Sequence, residues 1–325
     1  MALRIVFCGT PAFAVPSLQL LLKEPDFEIT GVVTQPDRPR GRGQEIQSCP
    51  VKDAAVAAGI PVYQPEKIKS DEAHEYFQRQ APDAVVIIAY GQIISPRLLA
   101  IPPLGWINLH ASLLPKYRGA APINRAILNG EERTGVTTML IDAGLDTGPI
   151  LLQEDTSIGW DETAPQLTFR LASYGAPLVV DTLRGLARGE IKPTPQDASQ
   201  ATLAPPLTKE EGRIDWSLSA QQIYRRMRAF DPWPGTYTSF SGKACHIWGQ
   251  PLVPEGGEME LLKSACGNEP PVGGRIVLLN REVIVCCGDG TALRLESAKM
   301  EGRKRVTARE FAFGVRLASG ERFGS

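Results

Sequence analysis

Apolar and polar positions fall into alternating blocks along the first 110 residues. LRIVFC, residues 3–8, predicts a short buried strand, and GTPAFAVPSLQLLLKE turns from it into a helix. EITGVVTQ predicts a second strand, VKDAAVAAGI a helix and IPVYQP a short extended run. SDEAHEYFQRQ has helical periodicity behind a Ser/Asp cap. DAVVIIAY is almost wholly apolar, as expected in the middle of a parallel sheet covered on both faces, and GWINLHA continues as the next strand. Strands alternating with helices predict a doubly wound α/β domain.

The rhythm then changes. TGVTTMLID and GPILLQEDTSI predict two strands joined by the loop AGLDT. APQLTFRLASYGAPLVVDTLRGLARGE predicts a long helix that breaks around Gly175, Ala176 and Pro177. IKPTPQDASQATLAPPLTKEEG has no periodicity and predicts a linker. Beyond it one helix, SAQQIYRRMRAF, leads through DPWPG into short β-like runs separated by Gly-rich turns, the texture of a small β-barrel. The expected organisation is therefore an α/β domain over 1–190, a linker over 191–209 and a smaller β-barrel domain over 210–325.

Composition narrows the function classes. With 43% hydrophobic and 22% charged residues the chain is that of a soluble globular protein. A net charge of −1 supplies no global field toward nucleic acid. From Lys209 onward, however, 17 Lys and Arg stand against 14 Asp and Glu, the sign a polyanion needs. The six cysteines, at 8, 49, 245, 266, 286 and 287, form no C-x-x-C pair and are expected to be reduced. With no basic leader and no run of 18 apolar residues, a cytoplasmic protein with no membrane partner is expected.

The candidate chemistry centres on Asn108 and His110. On a strand they project from one face about 6–7 Å apart, while Ile107, Leu109 and Ala111 face the other way. Ligands of open α/β sheets sit at the carboxyl ends of strands. An amide and an imidazole side by side there can both donate to one oxygen; the alternative is a buried polar pair satisfied by backbone carbonyls. Asp142 and Asp146 lie in the Gly-punctuated loop of IDAGLDTGPI. Either a carboxylate from this loop serves His110, or it makes a local Asx turn. The tripeptide Asp-Thr-Gly occurs once, at 146–148, which excludes a two-carboxylate aspartic protease on one chain. Gly9 alone follows the first strand, with Pro11 and Ala14 where a dinucleotide fingerprint needs glycine, and no phosphate-cradling G-x-x-x-x-G-K-[ST] occurs. Arg38, Arg40 and Arg42 alternate along the loop QPDRPRGRGQ, either as a solvated charged loop or as a grip for phosphates. Arg225, Arg226 and Arg228 cluster ahead of Trp233, which is expected to plug the core at the domain junction or to stack on a base. His74 and His246 suggest no role.

Several stretches together carry a resemblance: FCGTPAFA, VVTQPDRPRGRG, AYGQIISP, INLHASLLPKYRGAAPI, GVTTMLIDAGLDTGPIL and IDWSLSAQQIYRRMRAFDPWPG. The chain resembles the methionyl-tRNA formyltransferase family from its first strand to about residue 237. LHASLLPKYRGAAPI with a downstream LDTG matches folate-dependent formyltransferases as a group; the Arg-rich loop and AFDPWPG narrow the likeness to the tRNA enzymes. The resemblance implies a Rossmann-like formyltransferase domain followed by an OB-like tRNA-binding domain. It implies 10-formyltetrahydrofolate as co-substrate, methionyl initiator tRNA as acceptor, a monomer and no metal. The family's catalytic residues fall on Asn108, His110 and Asp146. Its folate contacts fall on Ser112, Leu113, Leu114, Pro115, Ala89, Tyr90, Gly91 and Asp142, and its tRNA loop on 35–44 with Arg38, Arg40 and Arg42. The implied mechanism is direct attack by the methionine amine, with Asn108 and His110 donating to the formyl oxygen and Asp146 relaying a proton. The rival is a folate-dependent formyltransferase for a sugar-nucleotide amine or glycinamide ribonucleotide. A second rival is a catalytically inert RNA-binding protein on the same scaffold.

Overall fold

The computed structural model describes residues 2–40, 45–252, 272–279 and 281–324. In chain order the first strands are β1 (Leu3–Gly9), β2 (Phe27–Val33), β3 (Arg38–Arg40), β4 (Glu45–Gln47), β5 (Val62–Tyr63), β6 (Ala84–Ile88), β7 (Trp106–His110), β8 (Arg133–Leu140) and β9 (Ile150–Ser157). Seven of them form one sheet in the order β5-β2-β1-β6-β7-β8-β9. The strands from β5 to β7 run parallel, and β8 and β9 are added antiparallel at one edge. All five residues of β6 are buried. Each large aliphatic side chain so buried contributes roughly 1.5–3 kcal/mol, and only a central strand can bury both faces at once.

The helices of this part are α1 (Val15–Leu21), α2 (Pro50–Ala57), α3 (Asp71–Gln80), α4 (Pro96–Leu99), α5 (Pro122–Asn129) and α6 (Ala164–Ala187). Ser70 caps α3 by accepting from the Ala73 N–H at 3.2 Å. The two faces of β7 meet different neighbours. Trp106 packs on Phe77 of α3, with ring centroids 5.0 Å apart, and its indole N–H donates to the Leu98 carbonyl of α4 at 2.9 Å. Leu109 meets α6, where a Cβ on Gly175 would lie 2.4 Å from Leu109 Cδ2. Asn108 and His110 have the parity of Trp106 and emerge on its face of the sheet.

The predicted break in the long helix does not occur: α6 runs unbroken through Pro177. An interior proline costs about 3 kcal/mol. The same helix buries Leu167, Leu171, Leu178, Val179, Val180 and Leu183, which together outweigh that cost.

The remaining elements are α7 (Ala220–Ala229), β10 (Tyr237–Phe240), β11 (Lys243–Pro251), β12 (Ile276–Leu279), β13 (Glu282–Cys286), β14 (Ala292–Met300), β15 (Val306–Thr307) and a last helix, Ala308–Val315. The strands pair antiparallel in the order β10-β11-β14-β13-β12, with β15 on β14. Their core gathers Ile223 and Met227 of α7 with Ile247, Val285, Leu295 and Phe311. A capping box between Ser219 and Gln222 starts α7, and Thr307 with Glu310 starts the last helix in the same way.

The chain divides into two compact units, but not at contiguous boundaries. The first comprises 1–123, 132–158 and 166–205; the second comprises 124–131, 159–165 and 206–325. The polar run expected as a linker over 191–209 is mostly bound to the first unit. Thr194 exchanges two backbone hydrogen bonds with Ile150, both 2.8 Å, and Arg118 does so with Thr202 and Ala204 at 2.8 and 2.7 Å. Lack of periodicity marked the run as irregular, yet its backbone groups find partners. Trp233 is not a core plug: it is 55% exposed, set between prolines in a turn closed by the Gly235 N–H on the Phe230 carbonyl.

Replacing Gly175 by Val should lower stability by about 1–3 kcal/mol, because the added atoms meet the Leu109 side chain directly. A denaturation midpoint equal to that of the parent protein would refute this contact as a constraint on β7.

Candidate active site

The carboxyl end of β7 supplies the first two groups. Register places Asn108 opposite Ile87 on β6 and Met139 on β8, and His110 opposite Thr137. The imidazole is buried. Its Nε2 lies 2.9 Å from the Tyr117 carbonyl, an acceptor only, so Nε2 carries a proton and donates. Nδ1 faces Asp146 Oδ2 at 3.6 Å. In a neutral ring Nδ1 is then a bare acceptor; it donates only when both ring nitrogens are protonated. The Asn108 amide is half-buried and makes no hydrogen bond to any described residue. Its atoms are not among the buried ones left without a partner, so the amide is open to solvent or to a ligand.

Asp146 is held in the left-handed region, at φ 50°. Such a backbone costs energy for a side-chain-bearing residue, though least for Asp and Asn. Its Oδ2 accepts from the Gly119 N–H at 2.8 Å, and its own carbonyl accepts from Gln196 Nε2 at 2.8 Å. The carboxylate is thus aimed at His110 from both ends. Of the two acids in this loop, the local turn belongs to Asp142. That exposed carboxylate accepts from the Gly144 N–H at 3.0 Å and the Thr147 hydroxyl at 2.7 Å.

The segment after β7 is pinned to β8 and β9. The Ser112 hydroxyl donates to the Lys116 carbonyl at 2.7 Å, and the Ser112 carbonyl accepts from Thr137 at 2.6 Å. The Leu114 N–H donates to Thr137 Oγ1 at 3.2 Å, and its carbonyl accepts from Gln153 at 2.8 Å. Ser112 and Leu114 are buried, while Leu113 and Pro115 are half-buried. After β6, Ala89 and Gly91 both have positive φ, 48° and 89°, and Ala89 is exposed. Between them Tyr90 turns inward; burial pushes its phenol well above the usual range, and its hydroxyl has no hydrogen-bond partner among the described residues. The Tyr90 carbonyl accepts from Gln35 at 2.9 Å.

In the arginine loop β3 pairs antiparallel with β4, Arg38 with Gln47 and Arg40 with Glu45. Arg38 is exposed, 3.9 Å from Glu66. Arg42 lies outside the described residues. At the root of the loop the Asp37 carboxyl is held below its ordinary value, chiefly by a hydrogen bond from Lys52 and then by Gln64. The cluster of Arg225, Arg226 and Arg228 does not form one cationic face. The Arg225 guanidinium lies against Gly130, Arg226 donates to the Glu211 carbonyl, and Arg228 is buried on the carbonyls of Gly159 and Glu162.

The chain as a whole has known relatives. The formyl transferase family model matches residues 3–183, and that of the formyl transferase C-terminal domain matches 206–316. A methionyl-tRNA formyltransferase of Solibacter usitatus is 50% identical over 322 residues, 99% of each chain. The chain belongs to the methionyl-tRNA formyltransferase family. A second family member, from Acidobacterium capsulatum, is 47% identical over 324 residues, covering 99% of this chain and 100% of its own. Among solved structures the fold is shared with WlaRD, a sugar 3N-formyl transferase crystallised in the presence of dTDP and 5-N-formyl-THF. That match has a TM-score of 0.63 at 20% identity and covers 94% of this chain and 100% of that one. It is shared also with HypX of Aquifex aeolicus in complex with tetrahydrofolic acid, at a TM-score of 0.60 and 17% identity over 99% of this chain and 49% of that one. At such identities the likeness is one of fold.

The sequence had singled out Asn108, His110 and Asp146, and the structure brings the last two within 3.6 Å. It had not singled out Tyr117, Gly119 or Gln196, which orient them. Gly119 was the one visible signal among these, a glycine inside KYRGAAP. It has φ 124°, and a Cβ there would lie 2.7 Å from the Ala204 carbonyl oxygen.

Replacing Asp142 by Ala should speed amide exchange at Gly144 by about fivefold or more, the equivalent of one net hydrogen bond. Unaltered exchange would show that the loop holds its shape without this carboxylate.

Proposed function

We propose that this protein transfers a formyl group from 10-formyltetrahydrofolate to the α-amino group of methionine on initiator tRNA. The product is the N-formylmethionyl-tRNA used to start translation. The observation that carries the reading is a free amide, Asn108, on the strand of a buried His110 that faces the half-buried Asp146, on a chain 50% identical to a named methionyl-tRNA formyltransferase over 99% of both. The sugar and ribonucleotide alternatives rest on relatives near 20% identity, which share the fold only.

The residues divide the work by their hydrogen-bonding capacity. The Asn108 amide donates to the formyl oxygen as negative charge develops there. His110 cannot use Nε2 for this, because that N–H is committed to Tyr117. It acts through Nδ1, donating as the imidazolium and accepting as the neutral ring. Asp146, with one oxygen on the Gly119 N–H, supplies the acceptor that lets the pair take a proton from the attacking amine and return one to the departing nitrogen. The methionine amine has an ordinary pKa near 8, so a neutral fraction is present at pH 7. No covalent intermediate on the chain is needed when both reactants are held together.

The folate is assigned to the backbone around Ala89, Tyr90 and Gly91, to Ser112–Pro115 and to Asp142. The half-buried, unpartnered Asn108 amide and the exposed, positive-φ Ala89 support a ligand there. In Ser112 and Asp142 the side chains are already spent on the loops themselves, so those loops contribute shape and backbone more than free hydroxyl or carboxylate. Arg38, Arg40 and Arg42 are assigned to tRNA phosphates, and the C-terminal β-domain to further tRNA contact. The enzyme in this reading is a cytoplasmic monomer; among the described residues no helix is long and apolar enough to cross a membrane.

Asn108→Ala and His110→Ala should each lower turnover by at least ~100-fold while folate affinity changes little. Near-normal turnover by either would remove that residue from the mechanism. Formyl transfer to charged initiator tRNA, with free methionine as the control acceptor, should weaken steeply as salt rises. Arg38→Ala should reduce the slope of log affinity against log salt by about 1. A salt-independent reaction, or equal use of free methionine, would refute the tRNA assignment.

A further inference from the structure

The polar run 194–204, which lies between the two family-model matches, bonds Asp146 directly and reaches His110 through Tyr117. Gln196 reaches the Asp146 loop. Its Nε2 donates to the carbonyls of Asp146 and Gly148, at 2.8 and 2.7 Å. Its Oε1 accepts two hydrogen bonds from Arg118, Nε at 3.0 Å and one terminal nitrogen at 2.7 Å. Arg118 is itself buried. An amide clamped by a guanidinium on one side cannot flip, so its N–H groups stay on the two carbonyls.

Thr202 reaches the His110 loop. Its hydroxyl oxygen accepts from the Tyr117 N–H at 2.8 Å, and its carbonyl accepts from the Arg118 N–H at 2.8 Å. The Tyr117 carbonyl is the group that fixes the His110 proton on Nε2. Ala204 completes the attachment, donating to the Arg118 carbonyl at 2.7 Å and accepting from Ala121 at 3.1 Å. The far end is tied to β9 through Thr194 and Ile150. A short turn between the clamps is held by Asp197, which accepts from Ser199 and Gln200.

From these contacts we infer that residues 194–204 are a positioning strap for the active site, with Gln196 setting the place of Asp146 and Thr202 setting the proton of His110. Neither residue touches the reacting atoms. Gln196 holds the Asp146 carbonyl while the residue sits at φ 50°, a conformation that relaxes without an outside partner. The Thr202 carbonyl holds the peptide whose oxygen is the acceptor for Nε2, and its hydroxyl holds the peptide just before it. The 3.6 Å separation of Nδ1 from the carboxylate is therefore maintained from a segment 50 residues beyond Asp146 in the chain. The inference rests on the formyl-transfer reading for its kinetic arm only.

The test uses the full-length protein. Gln196→Leu keeps the bulk and removes both clamps. Gln196→Glu keeps the acceptor for Arg118 but turns a carboxylate oxygen toward two carbonyls, and it serves if the Leu variant does not fold. Thr202→Val removes the acceptor for Tyr117, and Thr202→Ser restores it. Turnover should fall about 10–100-fold in Gln196→Leu, Gln196→Glu and Thr202→Val, the scale of a misplacement near 1 Å. The KM for formyl donor should move by less than roughly threefold, and Thr202→Ser should recover most of the turnover. Independently of activity, ¹⁵N spectra of the three histidines report the ring tautomers. His110 should show one Nε2–H form in the parent and in Thr202→Ser, and a mixture in Thr202→Val. Full turnover by folded Gln196 and Thr202 variants, or His110 signals unmoved by Thr202→Val, would overturn the strap. A parent protein that transfers no formyl group would instead overturn the functional reading, and the spectra would still decide the strap.

Discussion

The proton of the neutral His110 ring is placed by the hydrogen bond between Nε2 and the Tyr117 carbonyl, 2.9 Å long. A carbonyl can only accept, so the bond fixes one tautomer without any charged partner. That choice leaves Nδ1 without a proton in the neutral ring, with an acidic neighbour in Asp146. It also divides labour between two groups of the same strand. The Asn108 amide is a donor at all times, whereas the imidazole is a donor or an acceptor according to its second proton. A pair in which only one member switches can hold an oxygen and still move a proton.

The rest of the first unit can be understood as support for that bond. β7 is clamped between Phe77 on one face and Gly175 on the other, so its side chains have one parity and no room to twist. The segment from Ser112 to Gly119 is tied to Thr137, Gln153 and Thr202 through its backbone. Asp146 stands in a disfavoured backbone region that is held by bonds at its carbonyl and its carboxylate. A strand carries Asn108 and His110, while a hydrogen-bonded loop carries Asp146. Pre-organisation of this kind is how a site offers charge stabilisation without rearranging at the moment of reaction.

Much of this was legible beforehand, for identifiable reasons. Buried parallel strands need apolar side chains on both faces, and DAVVIIAY carries that requirement in plain form. The spacing of Asn108 and His110 exposes them because a strand repeats every two residues. Asp146 was open between a turn and a role beside His110; the resemblance of LDTG pointed to the second, and its carboxylate lies 3.6 Å from Nδ1. Pro177 misled because a local breaker was weighed without the six large apolar residues the helix buries. Trp233 misled because size and hydrophobicity suggested burial, whereas the flanking prolines present it outward.

The sequence by itself determined the strand order of chemistry: which residues share a face, which segments alternate as strand and helix, and which family the motifs resemble. These are local properties, set by periodicities of two and about 3.6 residues and by the conformational preferences of Gly and Pro. Only the tertiary structure decided which nitrogen of His110 is free, which of the two loop acids meets it, and that a run without periodicity is a strap on the site. Those outcomes depend on side chains bonding to backbone groups far along the chain, as Gln196 does across 50 residues to Asp146. A peptide carbonyl is the same acceptor at every position, so nothing in the order of side chains marks the one that will be used.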